Sequence, residues 1–156
     1  MSYHHQISQN LAKLDGEFSD VKKDFEKIVR YWYSKSLEEA KVTGHSIESM
    51  TYTILEGIED GLSQTTISVE DGLSYSLEII IDLLHHSATL DIQKCEKRLN
   101  FAKEALEDRV NSERLNIIDT IETFKNYAKD SNYSKFKDSL DKVALDMERY
   151  IDRLKG

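Results

Sequence analysis

The chain has 156 residues, of which 39% are hydrophobic and 32% charged, and its formal net charge is −8 at pH 7. This length supports one domain with a buried core, and the composition is too apolar for a disordered chain. Proline is absent, although average usage would give about eight, and the single cysteine excludes an intramolecular disulfide. Because proline interrupts helix interiors, its absence favours long helices.

The negative charge is concentrated in the middle third of the chain. Residues 46–92 have nine carboxylates and no Lys or Arg, whereas the segments on either side are almost neutral. Nucleic acids and anionic lipids are bound through arrays of Lys and Arg, so we predict that the chain binds no nucleic acid. No signal peptide and no transmembrane segment is recognisable, which leaves the cytoplasm as the expected location.

The first predicted helix covers about residues 5–42. Its apolar residues recur at alternating steps of four and three, a heptad seam typical of helices that pack lengthwise on one another. The seam consists of Ile7, Leu11, Leu14, Phe18, Val21, Phe25, Ile28 and Trp32. Since it continues across Gly16, we expect this glycine to lie inside the helix. Gly44 is the expected stop, and Ser46 is the expected N-cap of the next helix.

An aromatic cluster follows Arg30 near the end of this seam. Trp32 is in register with the seam, so we expect it in the core. Tyr31 and Tyr33 would then flank the seam, and exposed aromatic side chains are typical of protein interfaces. We therefore predict that Tyr31 and Tyr33 contact a partner.

The second predicted helix, about residues 46–86, contains an internal repeat. Residues 58–63, Ile-Glu-Asp-Gly-Leu-Ser, recur eleven residues later as residues 69–74, Val-Glu-Asp-Gly-Leu-Ser. Eleven residues make about three helical turns, so one apolar register extends over residues 47–84.

Three small residues in this helix, Gly57, Gly61 and Gly72, would let another helix backbone approach closely. We treat them as candidate partner contacts, with the equally weighted alternative that these positions only tolerate glycine. Residues 65–80 also allow a β-hairpin around Asp71-Gly72, which would make the fold α+β. We prefer helix, because a lone hairpin needs further strands and none is evident.

The remaining chain predicts two more helices, at about residues 89–129 and 134–154. We place a turn near His85–Thr89, because an unbroken helix over 46–130 would be about 125 Å long. The predicted fold class is thus all-α, an antiparallel bundle or coiled coil of three to four long helices in a single domain. Narrow apolar stripes of this kind leave a seam for a second copy, so we expect self-association.

Histidine and carboxylate spacing suggests a candidate metal site. Glu78, Asp82 and His86 follow one another at steps of four, and Asp82 and His85 are three residues apart, a spacing used in helical-bundle metal sites. A di-iron bundle would need a second such motif, which is absent. The alternative is that His85 and His86 favour a helix C-terminus, where the helix dipole suits them.

No catalytic or cofactor motif is recognisable, so we predict a non-enzymatic interaction or scaffold protein without a cofactor, whose partner is another copy or another protein. Two alternatives stay open. The eleven-residue repeat and the lack of proline resemble, as a class, amphipathic coat proteins of hydrophobic granules, and the metal spacing would suit a metal-binding bundle enzyme. The acidic residues 46–92 form either a solvated face, balanced by lysines of neighbouring helices, or a docking surface for a basic partner or divalent cations.

Overall fold

The protein structure, a computed structural model, describes residues 3–98, 103–129, 137, 138, 140–142, 145 and 149. Within these residues all regular secondary structure is helical, so the predicted all-α bundle is confirmed and the hairpin at 65–80 is excluded. The helices are α1 (Tyr3–Leu11), α2 (Phe18–Thr43), α3 (Ile47–Ser63), α4 (Val69–Arg98) and α5 (Lys103–Lys129).

A turn separates α1 from α2, where the heptad seam predicted one continuous helix over residues 5–42. Gly16 has φ +115°, a backbone conformation that glycine adopts at little cost. The N–H of Leu14 donates to the carbonyl of Leu11 at 3.0 Å and closes the turn. The single helix was therefore wrong. Leu14 and Phe18 still pack against the core, which is why the periodicity continues across the break.

The short helix α1 lies against α3, because two glycines of α3 leave room for its backbone. A Cβ on Gly57 would lie 2.8 Å from the carbonyl oxygen of His4, and a Cβ on Gly61 would lie 2.8 Å from that of Ser8. Side chains cannot be accommodated at such distances from a main-chain atom without a shift of the helix. The close helix approach expected at these glycines is thus present, and both helices belong to the same chain.

A second turn, at residues 64–68, interrupts the helix predicted over residues 46–86. The side-chain oxygen of Thr65 accepts a backbone N–H bond at 3.1 Å inside the turn. Ser68 Oγ then accepts from the N–H of Asp71 at 3.2 Å, which is an N-cap for α4. The continuous helix was wrong, because hydroxyl groups of Thr and Ser satisfy the backbone of this turn without a glycine or proline.

The eleven-residue register nevertheless identified core positions on both sides of the turn. Leu62 and Leu73 are fully buried, Leu84 is 4% exposed, and Ile58 and Ile80 are fully buried. Apolar side chains at this spacing are therefore buried in two consecutive helices rather than along one.

Helix α4 continues without interruption through the residues where a turn was predicted. His85–Thr89 are helical, and α4 ends at Arg98. The predicted turn was wrong, in keeping with the absence of glycine and proline there. The helix predicted over residues 134–154 lies mostly outside the described residues, although those described between 137 and 149 are helical and Leu140 is 4% exposed.

The buried face of α2 follows a longer step than the predicted heptad. From Phe25 the buried positions advance by four residues to Val29, Tyr33 and Leu37. The contact with the core therefore moves around the helix, and Tyr33 becomes fully buried. Trp32, which the heptad placed in the core, is half-buried at its edge.

Side chains from all five helices meet in one hydrophobic cluster. Full burial of a Leu, Ile or Phe side chain contributes about 1.5–3 kcal/mol, so this cluster is the main source of stability.

The predicted end of α2 at Gly44 and the predicted N-cap of α3 at Ser46 are confirmed. Gly44 has φ +76°, and Ser46 Oγ accepts a hydrogen bond from the N–H of Ser49 at 3.2 Å. Among the described helices, none combines the length and hydrophobicity needed to cross a membrane.

Candidate interaction surface

The outward face of α2 has exposed side chains at steps of four residues from Ser19 to Glu39, and we call the middle four of them the basic row. The basic row consists of Lys23, Lys27, Tyr31 and Lys35. Tyr31 is 51% exposed, its ring meets the ring of Trp32 edge-on at 4.9 Å, and Lys35 Nζ lies 5.0 Å from its centroid. An exposed aromatic ring among lysines is thus held in place by its neighbours.

The outward face of α3 has a corresponding set of exposed residues, which we call the acidic row. The acidic row consists of Glu48, Tyr52, Glu56 and Asp60, again at steps of four. Tyr52 is 39% exposed, and its ring packs edge-on against Tyr127 of α5 at 5.5 Å. A groove of about 540 Å³ runs between this part of α3 and Thr123 and Asn126 of α5.

Polar contacts fix α2, which bears the basic row, against α4. Tyr75 donates a hydrogen bond to Glu26, and Arg30 bridges Glu26 at 3.2 Å and Asp82 at 2.9 Å. The bonds donated by Tyr75 and then by Arg30 hold the pKa of Glu26 below its ordinary value, against the opposing effect of burial. The same carboxylate raises the pKa of Tyr75 to about 12.

Helix α3, which bears the acidic row, is attached to three other helices. In the core, the hydroxyl groups of Tyr33 and Thr51 are hydrogen-bonded at 2.8 Å between α2 and α3. Burial raises the pKa of Tyr33. Tyr127 of α5 donates to Glu59, and His4 Nε2 of α1 lies 2.5 Å from Asp60 Oδ2. Both rows therefore lie on helices that are attached to the rest of the bundle by polar side-chain contacts.

A third feature is a groove of about 240 Å³ between α1, α2 and the beginning of α3. Tyr3, Glu39 and Met50 line it, and Tyr3 donates a hydrogen bond to Glu39 that raises the pKa of the Tyr3 phenol. The ring of Tyr3 lies 6.0 Å from that of Trp32. The aromatic surface around the basic row thus extends into this groove.

The structure does not bring the candidate metal ligands into one site. Glu78, Asp82, His85 and His86 all lie exposed on α4, and Asp82 binds Arg30. No group of three or more His, Cys, Asp or Glu suited to a metal ion occurs within the described part of the chain. The four residues share one helix, as the spacing indicated, but a shared helix alone does not assemble a coordination site.

The predicted partner contacts are divided between the surface and the interior. Tyr31 is exposed as expected, whereas Tyr33 is fully buried and bonded within the chain. Gly57 and Gly61 face α1, and a Cβ on Gly72 would meet the side chain of Leu62. Of these five residues, only Tyr31 is available to a partner in this structure.

Sequence reasoning missed Tyr52, the exposed aromatic residue of α3. Its signal was present, since Tyr52 lies midway between Glu48 and Glu56 at the i, i+4 spacing that places side chains on one helix face. The eleven-residue register identifies the apolar face of this helix, and Tyr52 lies outside that face.

The acidic segment, residues 46–92, is balanced only in part by neighbouring helices. Asp60 and Asp82 make the contacts to His4 and Arg30 described above. Glu48 and Glu56 are exposed and form no ion pair with another described residue. The acidic row is therefore largely a solvated surface in a single copy of the chain.

No protein-family model, no curated protein and no solved structure matches this chain.

Proposed function

We propose that this chain is a non-enzymatic helical interaction protein that associates with further copies of itself. The observation that carries the proposal is the pair of exposed tyrosines, Tyr31 and Tyr52, each inside a row of charged residues on a firmly packed helix. An aromatic anchor surrounded by a polar rim is the arrangement that contributes most binding energy at protein interfaces.

Both tyrosines pack against a neighbouring ring of the same chain, which supports this role. Tyr31 packs edge-on against Trp32, and Tyr52 packs edge-on against Tyr127, with interplanar angles of 83° and 72°. Immobilising a side chain at an interface costs about 0.5–1.5 kcal/mol, and a ring already held by its neighbour loses less of this freedom. The two rows can therefore bind with a smaller entropic cost than flexible surface residues.

Multi-angle light scattering over a concentration series tests the proposal. We expect the molar mass of the unmodified chain to rise above 18.1 kDa with concentration. Tyr31→Ser and Tyr52→Ser should each shift this rise to at least about tenfold higher concentration, because each removes an aromatic anchor.

Leu115→Ser is the matched control, since Leu115 is 57% exposed on α5 and belongs to neither row. Its association should equal that of the unmodified chain. A chain that stays at 18.1 kDa at every concentration, or three variants that weaken association equally, would contradict the proposal.

A further inference from the structure

We infer that copies of this chain associate by laying the basic row of one copy antiparallel along the acidic row of another. This inference rests on the proposed self-association and names the two surfaces that meet. The exposed lysines of α2 and the exposed carboxylates of α3 carry opposite charges, and each row contains one exposed tyrosine.

The two rows match in length and in order. Each contains four residues at steps of four, which extends over about 18 Å at 1.5 Å per residue. In the antiparallel register every lysine faces a carboxylate and the two tyrosines face each other. The facing residues are Lys23 and Asp60, Lys27 and Glu56, Tyr31 and Tyr52, and Lys35 and Glu48. A parallel register would instead place Tyr31 opposite Glu56 and Lys27 opposite Tyr52.

Helix geometry permits this contact. Side chains four residues apart form the ridges that pack side by side in the commonest class of helix pairs, with axes crossing at about −50°. Both rows are ridges of this kind and both are exposed, although the ring of Tyr52 also packs against the buried Tyr127.

Apart from Asp60, which contacts His4, the charged residues of the two rows form no ion pair with a described residue of the same copy. Lys23, Lys27 and Lys35 form no ion pair within 4.0 Å with a described carboxylate, and neither Glu48 nor Glu56 pairs with a described base. Since both rows point outward, only a second copy can bring them together.

The attraction is centred on the middle of each row. Asp20 and Asp24 are exposed near the amino-terminal end of the basic row, where they offset part of the charge of Lys23. At the facing end of the acidic row, Asp60 already contacts His4. Glu38 and Glu39 are exposed beyond Lys35 at the other end of the basic row, so Lys27 and Glu56 are the pair on which the register depends most.

A charge exchange between Lys27 and Glu56 tests the inference. Lys27→Glu and Glu56→Lys should each weaken self-association by about tenfold, because each turns an attractive pair into a repulsive one. An equimolar mixture of the two variants should form mixed assemblies as readily as the unmodified chain forms its own, because the facing charges are opposite again wherever the two unlike variants meet. The doubly exchanged variant, K27E together with E56K, should likewise associate with itself.

Two off-row reversals control for the change in net charge. Lys13→Glu, in the connection between α1 and α2, and Glu107→Lys, on α5, alter exposed residues outside both rows and should leave association unchanged. Two results would overturn the row pairing in a chain that associates: row variants that behave like these controls, or a mixture of the two variants that does not restore association. In either case the proposed self-association would still stand. If the unmodified chain is a monomer throughout, both are overturned.

Discussion

Replacing Gly61 by alanine tests the backbone contact between α1 and α3. The added Cβ would lie 2.8 Å from the carbonyl oxygen of Ser8 and 2.9 Å from the Cβ of Leu11. Neither atom is the end of a flexible side chain. Helix α1 must therefore move by about 0.6 Å before the shorter contact reaches 3.4 Å, where ordinary van der Waals contact begins.

The magnitude follows from two opposing effects. Overpacking of a buried contact costs about 1–3 kcal/mol, whereas alanine is favoured over glycine in a helix by about 1 kcal/mol. Displacement of α1 also reduces the burial of Leu11, which is 0% exposed and contributes about 1.5–3 kcal/mol when fully buried. We expect Gly61→Ala to lower the free energy of unfolding by about 1–2 kcal/mol.

Urea denaturation, followed by circular dichroism and by the fluorescence of Trp32, measures this loss. The fluorescence signal reports on α1, because the Trp32 ring lies 6.0 Å from that of Tyr3. Gly72→Ala is the comparison, since its Cβ would meet the terminal Cδ1 of the buried Leu62 and not the backbone of α1, so its loss of stability arises in the core without a displacement of α1. A Gly61→Ala variant as stable as the unmodified chain would refute the close approach of the two backbones.

Three further predictions concern the capping residue and the polar contacts between helices. Ser46→Ala should lower stability by about 1 kcal/mol in urea denaturation, because the first turn of α3 loses its side-chain cap; an unchanged midpoint would contradict this role. Tyr33→Phe should cost about 1–2 kcal/mol by leaving the buried hydroxyl of Thr51 without its partner, and a second change, Thr51→Val, should recover part of that loss in a double-mutant cycle. Because the pKa of Glu26 is lowered in the folded chain, its carboxylate stabilises the fold at neutral pH. This stabilisation is lost as the pH falls below the ordinary pKa of a glutamate and then through the lowered pKa of Glu26. Glu26→Gln should therefore reduce the loss of stability between neutral and acidic pH, measured by denaturation at a series of pH values; an unaltered pH dependence would show that this carboxylate is not held by Tyr75.

The sequence predicted the fold class and much of the core, because apolar periodicity records which face of each helix is buried. Ile7, Leu11, Val21 and Phe25 are all buried as their spacing indicated. The apolar periodicity did not indicate the turn before Phe18, because residues on both sides of that turn pack into the same hydrophobic cluster.

The choice between Trp32 and Tyr33 required the three-dimensional structure. A step of four from Ile28 leads to Trp32, whereas a step of four from Val29 leads to Tyr33, and the sequence contains both. The structure buries Tyr33, whose hydroxyl finds a partner in Thr51 on another helix. A polar contact between residues of different helices, 18 positions apart in the chain, leaves no periodic signal.

The candidate surface was predictable only in part, because the relation between residues of different helices leaves no periodic signal in the sequence. Tyr31 was recognisable as an aromatic residue beside the seam, and the acidic character of residues 46–92 was evident from composition. The correspondence between the two rows became visible only once both were known to face outward, on helices whose lengths and ends the turns define. The three glycines were recognised as sites of close approach, but the helix that approaches Gly57 and Gly61 is the short α1, which periodicity had merged with α2.

Sedimentation velocity of the unmodified chain, over a concentration series at low and at high salt, tests the central claim most directly. Pairing of oppositely charged rows predicts species heavier than 18.1 kDa that grow with concentration at low salt. These species should require higher concentrations at about 1 M salt, where the Debye length falls to roughly 3 Å and the charged pairs around the tyrosines are screened. A single species of 18.1 kDa at every concentration in low salt would contradict the claim, as would an association that high salt leaves unchanged.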